Sequence, residues 1–149
     1  MSILQDRDLT SLTIRDLMIP SEKVAHVQLN NPLEHALLVL VKSGYSAVPV
    51  LDSTYRLQGT IGKTRILNEI LGLEQFEIER LSTLQVQEVM VTDIPRLLKE
   101  DTILDGLKAL IDYPFVCIVD EEGYFDGILT RRALLKELRK DIYSGKSKN

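Results

Sequence analysis

The chain has 149 residues, of which 44% are hydrophobic and 27% are charged, a composition typical of an ordinary globular protein. Its net charge of -4 argues against nucleic acid as the main partner, because nucleic-acid-binding domains usually carry a basic face. The sequence has no apolar run long enough to span a membrane, and its N-terminus lacks the apolar stretch of a signal peptide. We therefore expect neither a membrane protein nor a secreted one.

The sequence contains an internal repeat. Residues 11–18 (SLTIRDLM) match residues 83–90 (TLQVQEVM), and three further pairs of segments follow in the same order. These pairs are 31–40 with 101–110, 45–52 with 113–120, and 59–61 with 127–129. Matches in a constant order indicate a duplication. The predicted organisation is a first repeat at 10–72, a charged linker at 73–82, a second repeat at 83–142 and a flexible basic tail at 143–149.

The first repeat begins with a predicted short helix that ends at Met18, followed by an extended segment at 23–27. A longer helix comes next. Asn31 is its predicted N-cap, Pro32 takes the first helical position and Gly44 ends it. Apolar residues recur on one face of this helix, which makes it amphipathic. They are Leu33, Ala36, Leu37, Leu40 and Val41.

Two strands and a final helix complete each repeat. In the first repeat the strands are predicted at 47–51 and 60–61. Pro49 should make its strand a sheet edge, or begin it nearby, because proline cannot donate to a ladder. In the second repeat the equivalents are a helix end at Met90, an extended segment at 95–98, a cap at Asp101, and strands at 115–119 and 128–129. This order predicts an α/β (α+β) fold in which the two repeats bury their apolar faces on each other.

Residues suited to catalysis or metal binding are sparse. Cys117 is the only cysteine and lies between Val116 and Ile118, which favours a core thiol in a reducing cytoplasm over a nucleophile. His26 and His35 are the only histidines, and no Cys, His and Asp cluster has metal-ligand spacing. No phosphate-binding loop or nucleophile elbow is found. We therefore predict a cytoplasmic protein that is not an enzyme and needs no cofactor.

Two segments resemble a known family. Residues 44–52 (GYSAVPVLD) and 127–132 (GILTRR), together with the duplication, are similar to tandem CBS-domain pairs, or Bateman modules. The resemblance covers residues 10–142 and implies two repeats packed about a pseudo-two-fold axis, a nucleotide in the cleft between them, and a homodimer. Stand-alone bacterial pairs of this size resemble the DarB/CbpB type, which senses cyclic di-AMP and docks onto other proteins. The implied target is an alarmone synthetase/hydrolase or a central metabolic enzyme.

The same resemblance implies the ligand-binding residues. They come from the first strand, from the strand after the long helix, and from the turn before the last helix. They are Lys23, Val24 and Ala25; Tyr45, Ser46 and Ala47; and Thr130, Arg131 and Arg132. Ala25 and Ala47 are small enough for a purine to approach the backbone. Thr130 can cap the last helix, and the two arginines can bind phosphate through their planar donors.

The sequence departs from the family pattern at the ribose-binding aspartate, because position 133 is Ala133. Without that carboxylate, tight binding of AMP, ADP or ATP through the ribose hydroxyls is not expected. Two consecutive arginines suit the two phosphodiesters of cyclic di-AMP better. Two alternatives stay open, namely an energy-sensing module for AMP, ADP or ATP and a protein-interaction adaptor without a ligand. The second cleft contains the bulky Tyr113, Pro114 and Phe115, which predicts one main site per chain.

Overall fold

The computed structural model describes residues 11–72 and 75–148, with side chains as far as residue 140. Parts of the predicted domain organisation lie outside the described residues. These are residue 10 of the first repeat, residues 73 and 74 of the linker, and the last residue of the tail.

In chain order the elements are α1 (Ile14–Leu17), β1 (Ile19–Pro20), a 3₁₀ turn (Ser21–Lys23), β2 (Val27–Gln28), α2 (Leu33–Ser43), β3 (Ala47–Leu51), β4 (Leu57–Gly62), α3 (Lys63–Ile70), α4 (Arg80–Thr83), α5 (Val86–Val89), β5 (Arg96–Leu97), α6 (Ile103–Asp112), β6 (Phe115–Val119), β7 (Phe125–Thr130) and α7 (Arg131–Lys148). The predicted strands at 47–51 and 115–119 are confirmed with the same bounds. The two short helices end at Leu17 and Val89, one residue before the predicted ends at Met18 and Met90. The last helix continues to Lys148 and so includes most of the segment that was expected to be a tail.

The chain divides into two compact units. Among the described residues, the central unit lies within 25–94, and the split unit combines residues 11–24 with residues 95–148. The central unit has a three-stranded sheet of order β2–β3–β4, and the split unit has a four-stranded sheet of order β1–β7–β6–β5. In each sheet a short parallel pair, β2 with β3 or β5 with β6, adjoins an antiparallel hairpin. This shared arrangement is the structural form of the sequence repeat.

Each unit has its own apolar core. In the central unit, fully buried residues of the sheet and of α2, α3 and α5 pack together, among them Leu40, Val48, Ile61, Ile66 and Val86. In the split unit the corresponding core joins the hairpin to α1, α6 and α7, and includes Ile14, Leu110, Ile118, Leu129 and Leu134. The stripe predicted for α2 is partly confirmed, because Leu33, Ala36 and Leu40 are buried while Val41 is exposed.

The leading segment of each repeat belongs to the unit formed by the body of the other repeat. In the split unit, the backbone N–H of Ile14 donates to the carbonyl of Asp101 at 2.9 Å, and β1 pairs antiparallel with β7. In the central unit, the Val86 N–H donates to the Asn31 carbonyl at 2.8 Å. The compact units therefore do not follow the linear boundaries of the repeats.

Two glycines make this exchange of leading segments possible. A Cβ atom at Gly59 would overlap the carbonyl oxygen of Val91, and one at Gly127 would overlap that of Ile19. Gly127 also has a φ of 154°, which side-chain-bearing residues rarely adopt. Glycine at these positions lets the crossing backbone approach the second hairpin strand closely.

The predicted helix caps at Asn31 and Asp101 are wrong. The N-caps of α2 and α6 are the next residues, Pro32 and Thr102. The Asn31 side chain accepts the Gln28 N–H at 2.7 Å, and the Asp101 carboxylate accepts the Leu98 N–H at 2.8 Å. Both side chains are therefore turned back to close the turn before the helix, a competing use of the same residue types.

Pro49 lies in β3, which is the middle strand of its sheet, so the strand as a whole is not an edge strand. It is tolerated because β2 pairs only with Val50 and Leu51. On the other side Pro49 faces Thr60, which exchanges both backbone hydrogen bonds with Val91 instead. The Pro49–Thr60 pair therefore needs no N–H from proline, and β3 is unpaired on its β2 side at this position.

Candidate functional site

The nine predicted ligand-binding residues fall into two groups. The central half-site lies in the central unit and consists of Ala25, Tyr45, Ser46 and Ala47. The split half-site lies in the split unit and consists of Lys23, Val24, Thr130, Arg131 and Arg132. Each group has its own local geometry, which determines what it offers to a ligand.

The end of α2 positions Tyr45 and Ser46. Gly44 adopts a left-handed conformation (φ 77°) and donates its N–H to the Leu40 carbonyl at 3.0 Å, which ends the helix as predicted. The Tyr45 N–H then donates to Ser43 Oγ at 3.3 Å. The chain is thereby turned out of the helix and into β3.

The central half-site presents a small, mostly apolar surface. Ala25 and Tyr45 pack against the core of the central unit and remain partly exposed, whereas Ser46 is exposed. The Ser46 carbonyl accepts the Lys63 N–H at 3.0 Å, and the exposed Ser46 side chain adds a hydroxyl beside this surface. A small apolar surface beside one hydroxyl is suited to a purine and a neighbouring polar group.

Lys23 and Val24 differ from the prediction in conformation. Lys23 ends the 3₁₀ turn that packs against β7 and is not part of a strand, because the Val24 N–H bonds back to the Ser21 carbonyl at 3.1 Å. The Lys23 side chain is exposed. Val24 is only 5% exposed, so little of its side chain is open to a ligand. Lys23 thus offers an exposed cation to a ligand.

Thr130 caps α7, as predicted. Its hydroxyl oxygen accepts the Ala133 N–H at 3.0 Å. The Arg131 N–H donates to the Pro114 carbonyl at 3.0 Å, the same bond that Lys63 makes to Ser46 in the first repeat. The start of an 18-residue helix carries partial positive charge from its backbone dipoles, which favours an anion.

The two arginines differ in their contacts. Arg131 donates through Nε to the Leu110 carbonyl at 2.8 Å and through Nη2 to the Ile111 carbonyl at 3.2 Å, both at the end of α6. Arg132 is exposed, and its guanidinium has no hydrogen bond or ion pair within the described part of the chain. Arg132 is therefore available to a phosphate, whereas Arg131 is already held in place.

Sequence reasoning missed the structural use of two arginines. Arg131 binds the end of α6, and Arg65 donates through Nε to the Val89 carbonyl at 2.8 Å, at the end of α5. One sequence signal was present for Arg131. The second repeat has Asp112 where the first has the helix-ending Gly44, so the end of α6 needs another source of donors.

The described residues give little support for nucleophilic catalysis or for a metal site. Burial raises the pKa of the Cys117 thiol to about 12, which keeps it protonated and unsuited to nucleophilic attack. Within residues 11–72 and 75–148, no group of His, Cys, Asp or Glu is arranged to hold a metal ion. The helices in this described part are also too short or too polar to cross a bilayer.

Comparison with known proteins agrees with these features. The CBS domain family model matches residues 14–72 and 86–140. The chain is 53% identical over 141 residues to the Bacillus subtilis protein named cyclic di-AMP receptor B, covering 95% of this chain and 96% of that one.

Two solved structures are similar to the chain. A CBS domain-containing protein from Bacillus anthracis has 58% identity and a TM-score of 0.85, with 91% of this chain and 98% of that one covered. CbpB from Listeria monocytogenes, solved in complex with c-di-AMP, has 49% identity and a TM-score of 0.81, with coverages of 87% and 97%. Two family matches account for most of the chain, and both units repeat one α/β arrangement. The chain therefore belongs to the CBS domain family, as a tandem pair of CBS domains.

Proposed function

We propose that this CBS pair is a non-enzymatic cytoplasmic receptor that binds cyclic di-AMP and controls docking onto a target enzyme. The main support for this ligand is the 53% identity, over 95% of the chain, to a protein named cyclic di-AMP receptor B. The similar Listeria protein, whose structure contains c-di-AMP, supports the same ligand.

The chemistry of the two half-sites suits this ligand. Cyclic di-AMP has two adenines and two phosphodiesters but no free 3′-hydroxyl. The central half-site offers a small apolar surface to an adenine, through Ala25, Tyr45 and Ala47, with Ser46 beside it. The split half-site offers the positive end of the α7 dipole, and positive charge on Lys23, Arg131 and Arg132. Phosphates bind well to such helix starts and to arginine.

The side chain at position 133 favours a cyclic dinucleotide over AMP, ADP or ATP. Ala133 donates its backbone N–H to the Thr130 hydroxyl and has no carboxylate for a ribose. A mononucleotide would have two free ribose hydroxyls with no acidic partner there. An energy sensor for mononucleotides is therefore the second candidate, and a ligand-free adaptor is the third.

The proposed partners are a second copy of the chain and a target such as an alarmone synthetase/hydrolase or a central metabolic enzyme. If the target binds the free and ligand-bound receptor differently, the ligand must also bind the free and target-bound receptor differently, by the same factor. Measuring receptor–target affinity with and without cyclic di-AMP tests this linkage. Equal affinities in both conditions would contradict control of docking by the ligand.

Calorimetry with cyclic di-AMP, AMP and ATP tests the proposed ligand. We expect tight binding of cyclic di-AMP only, with a loss of about 10- to 100-fold in Arg132→Ala, because hydrogen bonds to charged groups contribute about 1.5–3 kcal/mol. Lys136→Ala, an exposed cation on the same helix, is the matched control and should bind normally. Binding of mononucleotides alone would identify an energy sensor, binding of none would favour the adaptor, and ligand hydrolysis would reveal an enzyme.

A further inference from the structure

The end of α6 differs from the equivalent end of α2. Gly44 ends α2 with a left-handed backbone and a bond from its N–H to the Leu40 carbonyl. α6 ends at Asp112 and is followed by Tyr113 in an extended conformation (φ −129°). Within the described residues, the Tyr113 N–H forms no comparable cap bond. The last carbonyls of α6 therefore need donors from elsewhere.

Arg131 supplies those donors from the start of α7. Its Nε and Nη2 atoms, which form one edge of the guanidinium plane, donate to the carbonyls of Leu110 and Ile111. A cation at this position also opposes the negative end of the helix dipole. The other edge, which contains Nη1, makes no hydrogen bond to any described residue. A planar guanidinium can donate along both edges at once.

We propose that Arg131 uses both edges together, one to cap α6 and the other to bind a phosphodiester of the ligand. This inference rests on the proposed binding of cyclic di-AMP by the split half-site. A phosphate on the free edge would hold Arg131 in the side-chain conformation that caps α6. Arg131 is thus a ligand contact and also a positioning residue for α6.

The consequence is a link between ligand occupancy and an exposed surface. α6 carries the exposed apolar side chains of Leu104, Leu107 and Ile111, and Ile111 is one of the two residues whose carbonyl Arg131 binds. Ligand binding should make the last turn of α6 more rigid. By reciprocity, fixing that turn should favour ligand binding.

A rescue experiment separates the two uses of Arg131. Arg131→Ala should lower the Tm by about 2–4 °C and weaken cyclic di-AMP binding by about 10- to 100-fold. Adding Asp112→Gly restores the glycine cap that Gly44 provides in the first repeat. The double variant should regain the wild-type Tm but not the affinity, whereas Asp112→Gly alone should keep both.

Amide hydrogen exchange at residues 110–113 gives an independent measurement. We expect saturating cyclic di-AMP to slow exchange there in the wild type but not in the double variant. Recovery of affinity by Asp112→Gly, unchanged affinity in Arg131→Ala, or unchanged exchange in the ligand-bound wild type would each overturn the inference. Failure of the wild type to bind cyclic di-AMP would overturn the proposed function itself. In that case a Tm loss rescued by Asp112→Gly would identify Arg131 as a cap alone.

Discussion

Ala133 is the third residue of α7, next to the cap that Thr130 provides. Because the family's ribose carboxylate would occupy this position, Ala133→Asp should improve AMP binding about 10- to 100-fold, the size of a charged hydrogen bond. It should also weaken cyclic di-AMP binding, because a carboxylate near the phosphodiesters repels them. Titration calorimetry with both ligands measures the change. Ala133→Asn is the uncharged control, and equal effects of Asn and Asp would show that charge is not the cause.

Asp126 is a poorly satisfied carboxylate at the start of the hairpin strand β7. Its Oδ2 atom is buried without a hydrogen-bond partner, while the rest of the side chain stays partly exposed. In the first repeat the equivalent residue is Gln58, which donates to Asp52 at 3.0 Å. Asp126 instead faces a like charge on Asp120. Burial is the main reason why the pKa of Asp126 is raised; the charge on Asp120 adds to this effect, and Lys99 opposes it.

The raised pKa of Asp126 predicts a pH-dependent gain from Asp126→Gln. The ionised carboxylate costs stability in the folded state, and this cost grows as the pH rises from the unfolded-state value through the raised pKa. At pH 7 the glutamine should stabilise the fold by less than about 1 kcal/mol, since the side chain is partly screened by solvent. The gain should disappear below about pH 4. Denaturant unfolding over this pH range measures it. Glu121→Gln is the control, because the exposed Glu121 lines the same surface cavity as Asp120 and Asp126. A gain that persists at low pH would rule out the charge as its cause.

The pairing of the short strand β1 with β7 depends on the absence of a side chain at Gly127. Gly127→Ala would force the new Cβ against the Ile19 carbonyl and would also strain a φ of 154°. We expect a loss of about 3 kcal/mol or more in the free energy of unfolding. Gly44→Ala is the comparison, because Gly44 has a positive φ but open space around its Cβ position, and should cost only about 1–2 kcal/mol. Equal losses would mean that backbone crowding at β1 contributes nothing.

The hydrophobic pattern predicted where strands form better than it predicted which residues bond to one another. Alternating and helical periods report what a segment becomes, so 47–51 and 115–119 were predicted with the bounds that the structure has. The predicted helix caps were wrong because the Asn31 and Asp101 side chains each accept an N–H from the preceding turn instead of one from the helix that follows. In the candidate site, the capping role of Thr130 followed from local sequence. The bond from Arg131 to α6 did not, since it joins residues that are distant in the chain.

For the whole molecule, exposed apolar residues at equivalent positions support the proposed homodimer. Val41 on α2 and its equivalent Ile111 on α6 are 63% and 70% exposed. Leu67 on α3 and Leu135 on α7 form a second exposed pair. Apolar surface that recurs at one register in both units is suited to burial against a second copy.

Ile111→Glu should therefore shift the protein from dimer to monomer. Light scattering after gel filtration measures the mass, with the wild type expected at about twice the 16.9 kDa of one chain. A buried carboxylate at the interface would cost several kcal/mol. Lys108→Glu, an exposed charge change on the same helix, should leave the dimer intact. A monomeric wild type, or a dimeric Ile111→Glu variant, would contradict the proposal.

The exchanged leading segments also bear on how such a chain could have arisen. Each hairpin is completed by a segment that comes from the other repeat, β1 for one and the bridge at Val91 for the other. A single-copy ancestor would have left this edge of its hairpin open unless two copies lent each other their leading segments. Gene fusion would then have turned an intermolecular swap into an intramolecular one. Cutting the present chain at the linker should accordingly yield two fragments that complete each other's hairpins when mixed.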